Sequence, residues 1–343
     1  MPYSITGGTV TASLSSTTNY LAGVASSTTL VAGGAGSSYS GAAVAVGNVA
    51  GLAVGGTTSG TNLVVLGLND YVGGSLASIA NTGSISADYA VYVAATGTLG
   101  TLFNSGTLLG ASAALSNLGS ITSILNGTLG TAVSPGLMAG GVGIANAGYL
   151  GTLTNYATIL GTTGAAVDNQ GTLFGLGNAG TMTGVTAGLN NAGSMTIVQN
   201  AGLVSGSIGV NNTGTISALG NIGFGTLLGS IVGSATGIRN SGSGVIGTLA
   251  NAGLISGVTA IYNAATATLG TIANSGTIAG NITNLSSADL VLAGSGGTLT
   301  GGTISNTASN VVFAGGSQTW PTSSTWAATR WSTAAPAWGW AAP

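Results

Sequence analysis

Side chains that could perform acid–base or metal chemistry are scarce in this chain of 343 residues. It contains no Lys, Glu, His or Cys, so zinc sites, Schiff-base lysines and nucleophile–histidine pairs cannot be assembled from its own residues. The charged residues are Asp70, Asp88, Asp168, Asp289, Arg239 and Arg330. We therefore expect a protein that is not an enzyme and that has no catalytic, metal or cofactor site.

The four aspartates leave paired-carboxylate hydrolysis as the one catalytic chemistry to weigh. Asp70 and Asp88 are the closest pair in the sequence and could approach each other in the fold, but no cation or third carboxylate stands near them. Asp168 directly precedes a repeated Asn, at a place where other repeats carry varied polar residues, so we expect an exposed surface position. Calcium needs several oxygen ligands in one place, which single scattered aspartates do not supply.

Charge and hydropathy exclude several classes of protein. The net charge is −2 with only two Arg, so there is no basic stripe for nucleic acid. A disordered chain combines low hydrophobicity with high net charge, whereas 44% of these residues are hydrophobic. The most apolar stretch, residues 41–56, is rich in Gly and Ala and shorter than the roughly 20 residues that a membrane-spanning helix requires. We expect no such span in this chain.

The triplet Asn-x-Gly recurs through the middle of the chain. The distance from one of its Asn residues to the next but one is regular. Asn146, Asn169 and Asn191, for example, follow one another at nearly equal distances in the sequence. The unit is therefore about 22 residues long, and it contains two half-units, each with its own marker. The markers, including one place where Ala replaces Asn, are Asn81, Ala95, Asn104, Asn117, Asn126, Asn146, Asn155, Asn169, Asn178, Asn191, Asn200, Asn212, Asn221, Asn240, Asn251, Asn263 and Asn274.

Within the half-units, the fourth residue after the marker is almost always apolar, and the third is usually small and polar, as in the pairs Thr172–Leu173 and Thr277–Ile278. This alternation predicts short strands with one buried face, and ten-residue helices have no room between the Gly/Asn turns. Repeated units of short strands are typical of a solenoid, whose rungs pair in parallel. The predicted fold class is all-β: a single-stranded parallel β-helix with about 22 residues in each rung.

The Asn residues are interpreted as structural corners. Asn tolerates the left-handed conformation, its amide can bond from rung to rung, and the Gly two residues later permits a positive φ. The predicted structural corners are Asn81, Asn104, Asn117, Asn146, Asn169, Asn178, Asn191, Asn200, Asn212, Asn251 and Asn274.

Four regions follow from this pattern. Residues 1–68 keep the composition but lack the markers, so they are either degenerate rungs or an N-terminal cap. Residues 69–281 form the regular solenoid, with loops predicted at 134–141 and 220–235. Residues 282–316 resemble terminal strands or a cap. Residues 317–343, which contain all five Trp, form a Trp/Pro-rich tail without the repeat.

Residues 260–280 and 91–110 show the half-unit pattern best, for example Thr-Leu-Gly-Thr-Ile-Ala-Asn-Ser-Gly-Thr-Ile-Ala-Gly at 268–280. Over roughly residues 75–310 the chain resembles the passenger regions of bacterial autotransporters and related surface proteins of Gram-negative bacteria. The resemblance implies a right-handed parallel β-helix that is exported and displayed on the cell surface or secreted, as an adhesin or a component of a biofilm matrix.

Three functions compete at this point. The first is an extracellular structural or adhesive rod that binds a host or matrix surface ligand. The second is a subunit that associates end to end into a filament, because almost no charge is present to keep exposed strands apart. The third is an ice-binding protein with flat threonine columns, but Tyr149, Leu203 and Leu254 interrupt those columns.

Overall fold

The structure, a computed structural model, describes residues 75–129, 136–224 and 227–319 continuously, together with short strands on either side of them. Before residue 75 the strands are β1 (Val10–Ala12), β2 (Thr29–Ala32), β3 (Ser38–Ser40), β4 (Val44–Ala45), β5 (Gly51–Val54), β6 (Thr57–Ser59) and β7 (Val64–Leu66). From residue 75 to 191 they are β8 (Ser75–Asn81), β9 (Ser84–Val93), β10 (Thr98–Asn104), β11 (Thr107–Asn117), β12 (Ser120–Asn126), β13 (Leu137–Asn146), β14 (Tyr149–Asn155), β15 (Thr158–Gly161), β16 (Val167–Asn169), β17 (Thr172–Asn178), β18 (Thr181–Gly184) and β19 (Ala187–Asn191).

The remaining strands complete the chain. They are β20 (Ser194–Asn200), β21 (Leu203–Asn212), β22 (Thr215–Asn221), β23 (Gly223–Phe224), β24 (Leu227–Leu228), β25 (Ser230–Asn240), β26 (Val245–Asn251), β27 (Leu254–Asn263), β28 (Thr268–Leu269), β29 (Ile272–Asn274), β30 (Thr277–Asn284), β31 (Leu290–Ala293), β32 (Gly297–Thr300), β33 (Ile304–Asn306), β34 (Val311–Phe313), β35 (Gln318–Thr319), β36 (Ala327–Ala328) and β37 (Trp331–Thr333).

These strands form a β-solenoid of about 10 turns, with parallel strands stacked about 23 residues apart, so the predicted fold class is confirmed. One sheet, the first sheet, runs in the order β1-β2-β5-β8-β10-β12-β14-β17-β20-β22-β26-β29-β31-β34-β37, with β28 also beside β26. The other parallel strands form the second sheet. With rungs about 4.8 Å apart, the rod is about 50 Å long.

The apolar residues predicted to point inward form the core. Leu99, Ile121 and Leu150 are paired in register on successive rungs, and each is at most 1% exposed. The same holds on the opposite side for Ile159 and Met182. Each inward side chain therefore packs on its counterparts above and below, and stacking these residues from rung to rung makes one continuous core.

The second sheet bends sharply at a column of glycines that the sequence pattern did not predict. Gly110, Gly140, Gly161 and Gly184 are aligned from rung to rung. A Cβ atom on Gly110 would lie 1.7 Å from the carbonyl oxygen of Ala113, and one on Gly184 would lie 2.1 Å from that of Ala187. The strand therefore bends at these positions only because they carry no side chain.

Two loops interrupt the rungs near the predicted places, but the first lies earlier in the chain than predicted and the second is shorter than predicted. The first follows Asn126, and the strand resumes at Leu137, so residues 137–141 belong to β13. The second contains the antiparallel hairpin of β23 and β24, and the strand resumes at Ser230. In the C-terminal region, β35, β36 and β37 pair in parallel with β32, β33 and β34.

Candidate functional site

One ladder of asparagine side chains runs along the end of the first sheet. Each Asn donates a hydrogen bond from Nδ2 to Oδ1 of the Asn on the next rung, at 2.7–2.8 Å. All the amides point the same way, toward the C-terminal end. This first asparagine ladder contains Asn81, Asn104, Asn126, Asn155, Asn178, Asn200, Asn221, Asn251 and Asn274.

A second ladder follows the end of the second sheet with the same polarity. Its steps are 2.7–2.8 Å, except the last, which is 3.3 Å. This second asparagine ladder contains Asn117, Asn146, Asn169, Asn191, Asn212, Asn240, Asn263, Asn284 and Asn306. The eleven predicted corner residues divide between the two ladders. Asn284 and Asn306, which no Gly follows, were missed, although they lie one repeat apart and continue the register.

The ladder amides are buried and use most of their hydrogen-bonding capacity. Asn178, which is 3% exposed, donates to Oδ1 of Asn200 at 2.7 Å and to the carbonyl of Leu203 at 3.1 Å, and it accepts from Asn155 at 2.8 Å. The ladder residues are the last residues of their strands, as Asn178 is of β17 and Asn200 of β20. Their role is to satisfy one another inside the rod, where an unpaired amide is costly.

Most glycines of Asn-x-Gly serve close approach rather than a positive φ. Among the described glycines of these triplets only Gly242 has a positive φ, and the other positive φ values occur elsewhere, for example at Gly127. A Cβ atom on Gly193 would lie 1.9 Å from the carbonyl oxygen of Gly171, the equivalent residue one rung below. The carbonyl of Gly171 also accepts the backbone N–H of Ser194, so the contact is part of the rung-to-rung bonding.

The ladders begin and end at residues that the sequence pattern did not identify. Val93, and not Ala95, lies beneath Asn117 at the start of the second ladder. The turn after Val93 is two residues longer than the usual turn of this solenoid. Counting back from Gly97 by the usual turn length therefore leads to Ala95 instead of Val93. At the other end of the first ladder, Gln318 accepts from Nδ2 of Asn274 at 2.9 Å and donates to the carbonyl of Asn274 at 2.9 Å. Gln318 therefore caps that ladder.

The charged side chains that the structure describes do not converge on a site. Asp88 accepts from the hydroxyl of Ser112 at 2.7 Å. The hydroxyl of Ser309 and the backbone N–H of Asn310 donate to Asp289, and together they lower the pKa of this carboxyl from its usual value. Asp70 and Arg330 lie outside the described residues. Within the described part of the chain, no group of three or more acidic, His or Cys side chains could hold a metal ion.

An outward column of residues on the second sheet carries two of the charges. We call it the polar column, and from the N-terminal to the C-terminal rung it contains Tyr92, Ser116, Ala145, Asp168, Asn190, Asn211, Arg239, Tyr262, Thr283 and Ser305. Asp168 is only half-buried, and it accepts from Nδ2 of Asn190 at 2.7 Å and from Gln170 at 2.9 Å. Asn190 in turn accepts from Asn211 at 2.7 Å.

The outward Thr and Ser residues form short and interrupted columns. Thr101 bonds to Ser123 at 3.1 Å, and Thr183 bonds to Ser205 at 2.9 Å. Tyr149, which is 47% exposed, stands between Ser120 and Thr172 in the column at the start of the first-sheet strands. Along the described rungs, therefore, these columns do not form one flat threonine face.

Among the described residues, none belongs to a helix with the length and apolar character needed to cross a bilayer.

Comparison with protein-family models, with curated proteins and with solved structures finds no match to the chain.

Proposed function

We propose that the protein is a non-enzymatic structural or adhesive rod, displayed on or secreted from the surface of a Gram-negative bacterium in the manner of an autotransporter passenger. The observation that carries this proposal is the rod itself: its backbone, asparagine and apolar ladders specify an elongated outer surface. Side chains on the outer faces remain free to contact a host or matrix surface.

Exposed apolar side chains support adhesion in particular. Phe103 is 47% exposed on the first sheet, Phe174 is 53% exposed on the same sheet, and Leu228 is 66% exposed on the hairpin. Aromatic and aliphatic groups displayed on a rigid surface supply contact area at low entropic cost, which is how many interfaces obtain their affinity. A purely internal scaffold would gain nothing from displaying them.

Localisation and adhesion can be tested together. Antibodies raised against residues 240–280 should label intact expressing cells or their medium. Beads coated with the full chain should be retained under flow on collagen-coated or mucin-coated glass, and beads coated with the Phe103→Ser, Phe174→Ser variant should be retained less. Labelling only after cell lysis would overturn the surface location. Equal retention of coated beads and albumin-coated beads on both surfaces would overturn adhesion through these ligands.

A self-assembling filament is the second candidate, and one feature favours it. Among the described residues only Asp88, Asp168, Asp289 and Arg239 are charged, so electrostatic repulsion between rods is small. Parallel strands at the end of one rod could then continue onto the next rod. Electron microscopy of the full chain at micromolar concentration separates the candidates, because filaments longer than about 50 Å support assembly and isolated rods contradict it.

A further inference from the structure

The polar column carries one positive and one negative charge that do not meet within the chain. Arg239 lies three rungs beyond Asp168, a separation of about 14 Å along the rod. Arg239 is exposed, and no described residue forms a hydrogen bond or an ion pair with it. The Oδ1 atom of Asn211, directly beneath Arg239, is buried and has no hydrogen-bond partner in the described part of the chain. The two rungs between the charges carry Asn190 and Asn211.

We propose that this face binds a second copy of the same chain, side by side and antiparallel. A two-fold axis that lies between the rungs of Asn190 and Asn211, perpendicular to the rod, reverses the order of the rungs on the facing copy. Asp168 of each copy then faces Arg239 of the other, and Asn190 faces Asn211. The charge pattern of the column is therefore complementary to itself, as an isologous interface requires. This association differs from end-to-end stacking and does not depend on the proposed function.

Side-chain sizes along the same column agree with this arrangement. The axis places Tyr262, the rung after Arg239, opposite Ala145, the rung before Asp168. It places Tyr92, at the N-terminal end of the column, opposite Ser305, at the C-terminal end. Each of the two large aromatic residues of the column thus meets a small residue, and no two bulky side chains oppose each other.

A parallel arrangement of the two rods is unfavourable on the same evidence. Without the reversal of rung order, Asp168 would face Asp168, and Arg239 would face Arg239. Like charges opposed across an interface are strongly unfavourable. The face is about 48 Å long and about 13 Å wide, so the dimer buries roughly 1,200 Å² in total, at the lower end of specific interfaces. We therefore expect a dimer that dissociates in the micromolar range.

Charge exchange tests the proposal with the full chain. Asp168→Arg alone and Arg239→Asp alone each oppose like charges at two places in a homodimer, so each should weaken dimerisation by about tenfold or more in sedimentation equilibrium. An equimolar mixture of the two variants restores both pairs of opposite charge and should recover dimers. Circular dichroism establishes that each variant is folded. A monomeric wild-type chain, or a mixture no more dimeric than either variant alone, overturns the proposal.

Disulfide trapping tests the orientation, because the chain has no native Cys. Ala145→Cys and Tyr262→Cys chains should form a mixed disulfide when combined, and neither should cross-link with itself, since like positions lie about 24 Å apart along the antiparallel pair. Thr196→Cys, exposed on the first sheet, is the matched control and should not cross-link. Self-cross-linking of the Ala145→Cys chain would instead indicate parallel rods and overturn the antiparallel arrangement.

Discussion

Val93 lies directly beneath Asn117, and as a result Oδ1 of Asn117 is buried without a hydrogen-bond donor. At the other steps of the second asparagine ladder an Asn occupies the lower position and donates to the one above. Val93 is fully buried, and its side chain has no group that could donate to Asn117. The second ladder therefore begins with an unsatisfied acceptor, which costs about 1–3 kcal/mol in a protein interior.

The substitution Val93→Asn should extend the ladder by one rung. The longer turn after Val93 matches the turns after Asn240 and Asn263, whose Nδ2 atoms each donate to a carbonyl four residues later. The new amide would thus have acceptors at Asn117 and in its own turn. We expect the free energy of unfolding to stay within about 1 kcal/mol of the wild type in thermal and chemical denaturation, although a buried Val is replaced by a polar residue.

Val91→Asn is the matched control for this substitution. Val91 is as buried as Val93, but its column contains Leu115 and Ile144, which offer no partner to an amide. This variant should lose about 3 kcal/mol of stability. Equal losses in the two variants would show that the ladder position of Val93 has no special capacity for Asn.

Replacement of Asn178 by Asp removes two donors in the middle of the first ladder. The carboxylate would face Oδ1 of Asn200 and the carbonyl of Leu203 with no proton to share. We expect a loss of about 3 kcal/mol near neutral pH, as for an uncompensated buried charge. The same environment raises the pKa of the new carboxyl in the folded state, so the loss should shrink as the pH falls through that pKa.

Asn281→Asp controls for the chemical change alone. Oδ1 of Asn281 accepts from the backbone N–H of Thr303 at 2.9 Å and from its hydroxyl at 3.2 Å, and a carboxylate preserves both bonds. Stability should change by about 0.5 kcal/mol or less. A neutral effect of Asn178→Asp in the same denaturation assay would contradict a stabilising role for the ladder.

The repeated residue pattern of the half-unit is sufficient to predict the solenoid and its core. Residues such as Leu173 and Ile278 follow their marker Asn at a fixed distance, and a strand has only two faces, so their inward orientation follows from the sequence. The marker itself also identified the ladder positions, because Asn178 and Asn200 recur at the spacing of one rung.

Features that depend on contacts between rungs could not be predicted in this way. The bend at Gly161 and Gly184 is hidden because the chain has 64 glycines, and only the pairing of strands distinguishes this column. Gln318 caps the first ladder in place of Gly294, the residue aligned with Asn274, and its side chain reaches there from another rung. The repeat pattern carries no signal for such a substitution.

Gly193 should not tolerate a side chain. In Gly193→Ala, the new methyl group would lie 1.9 Å from the carbonyl oxygen of Gly171, so the rungs must separate. We expect a loss of about 2 kcal/mol or more. Hydrogen exchange should show faster exchange of the Ser194 amide, which bonds to that carbonyl.

Gly177→Ala is the control from the same sheet. A Cβ atom at Gly177 meets no atom within 4 Å, and its φ is outside the left-handed region. Because Ala restricts the unfolded chain, this variant should be as stable as the wild type or about 0.5 kcal/mol more stable. A similar loss in both glycine variants would refute close approach as the reason for the Gly193 position.

Asp289 should titrate below the ordinary value of 3.8, because the hydroxyl of Ser309 and the N–H of Asn310 donate to its carboxylate. A lowered pKa in the folded state means that Asp289 contributes stability above pH 3.8, and that this contribution is lost as the pH falls through the folded pKa. Carboxyl resonances followed by NMR across the acidic pH range would measure it. Ser309→Ala should move the pKa toward 3.8, whereas Ser295→Ala, an exposed serine on another turn, should leave it unchanged. An unaltered pKa in Ser309→Ala would show that this hydroxyl does not stabilise the carboxylate.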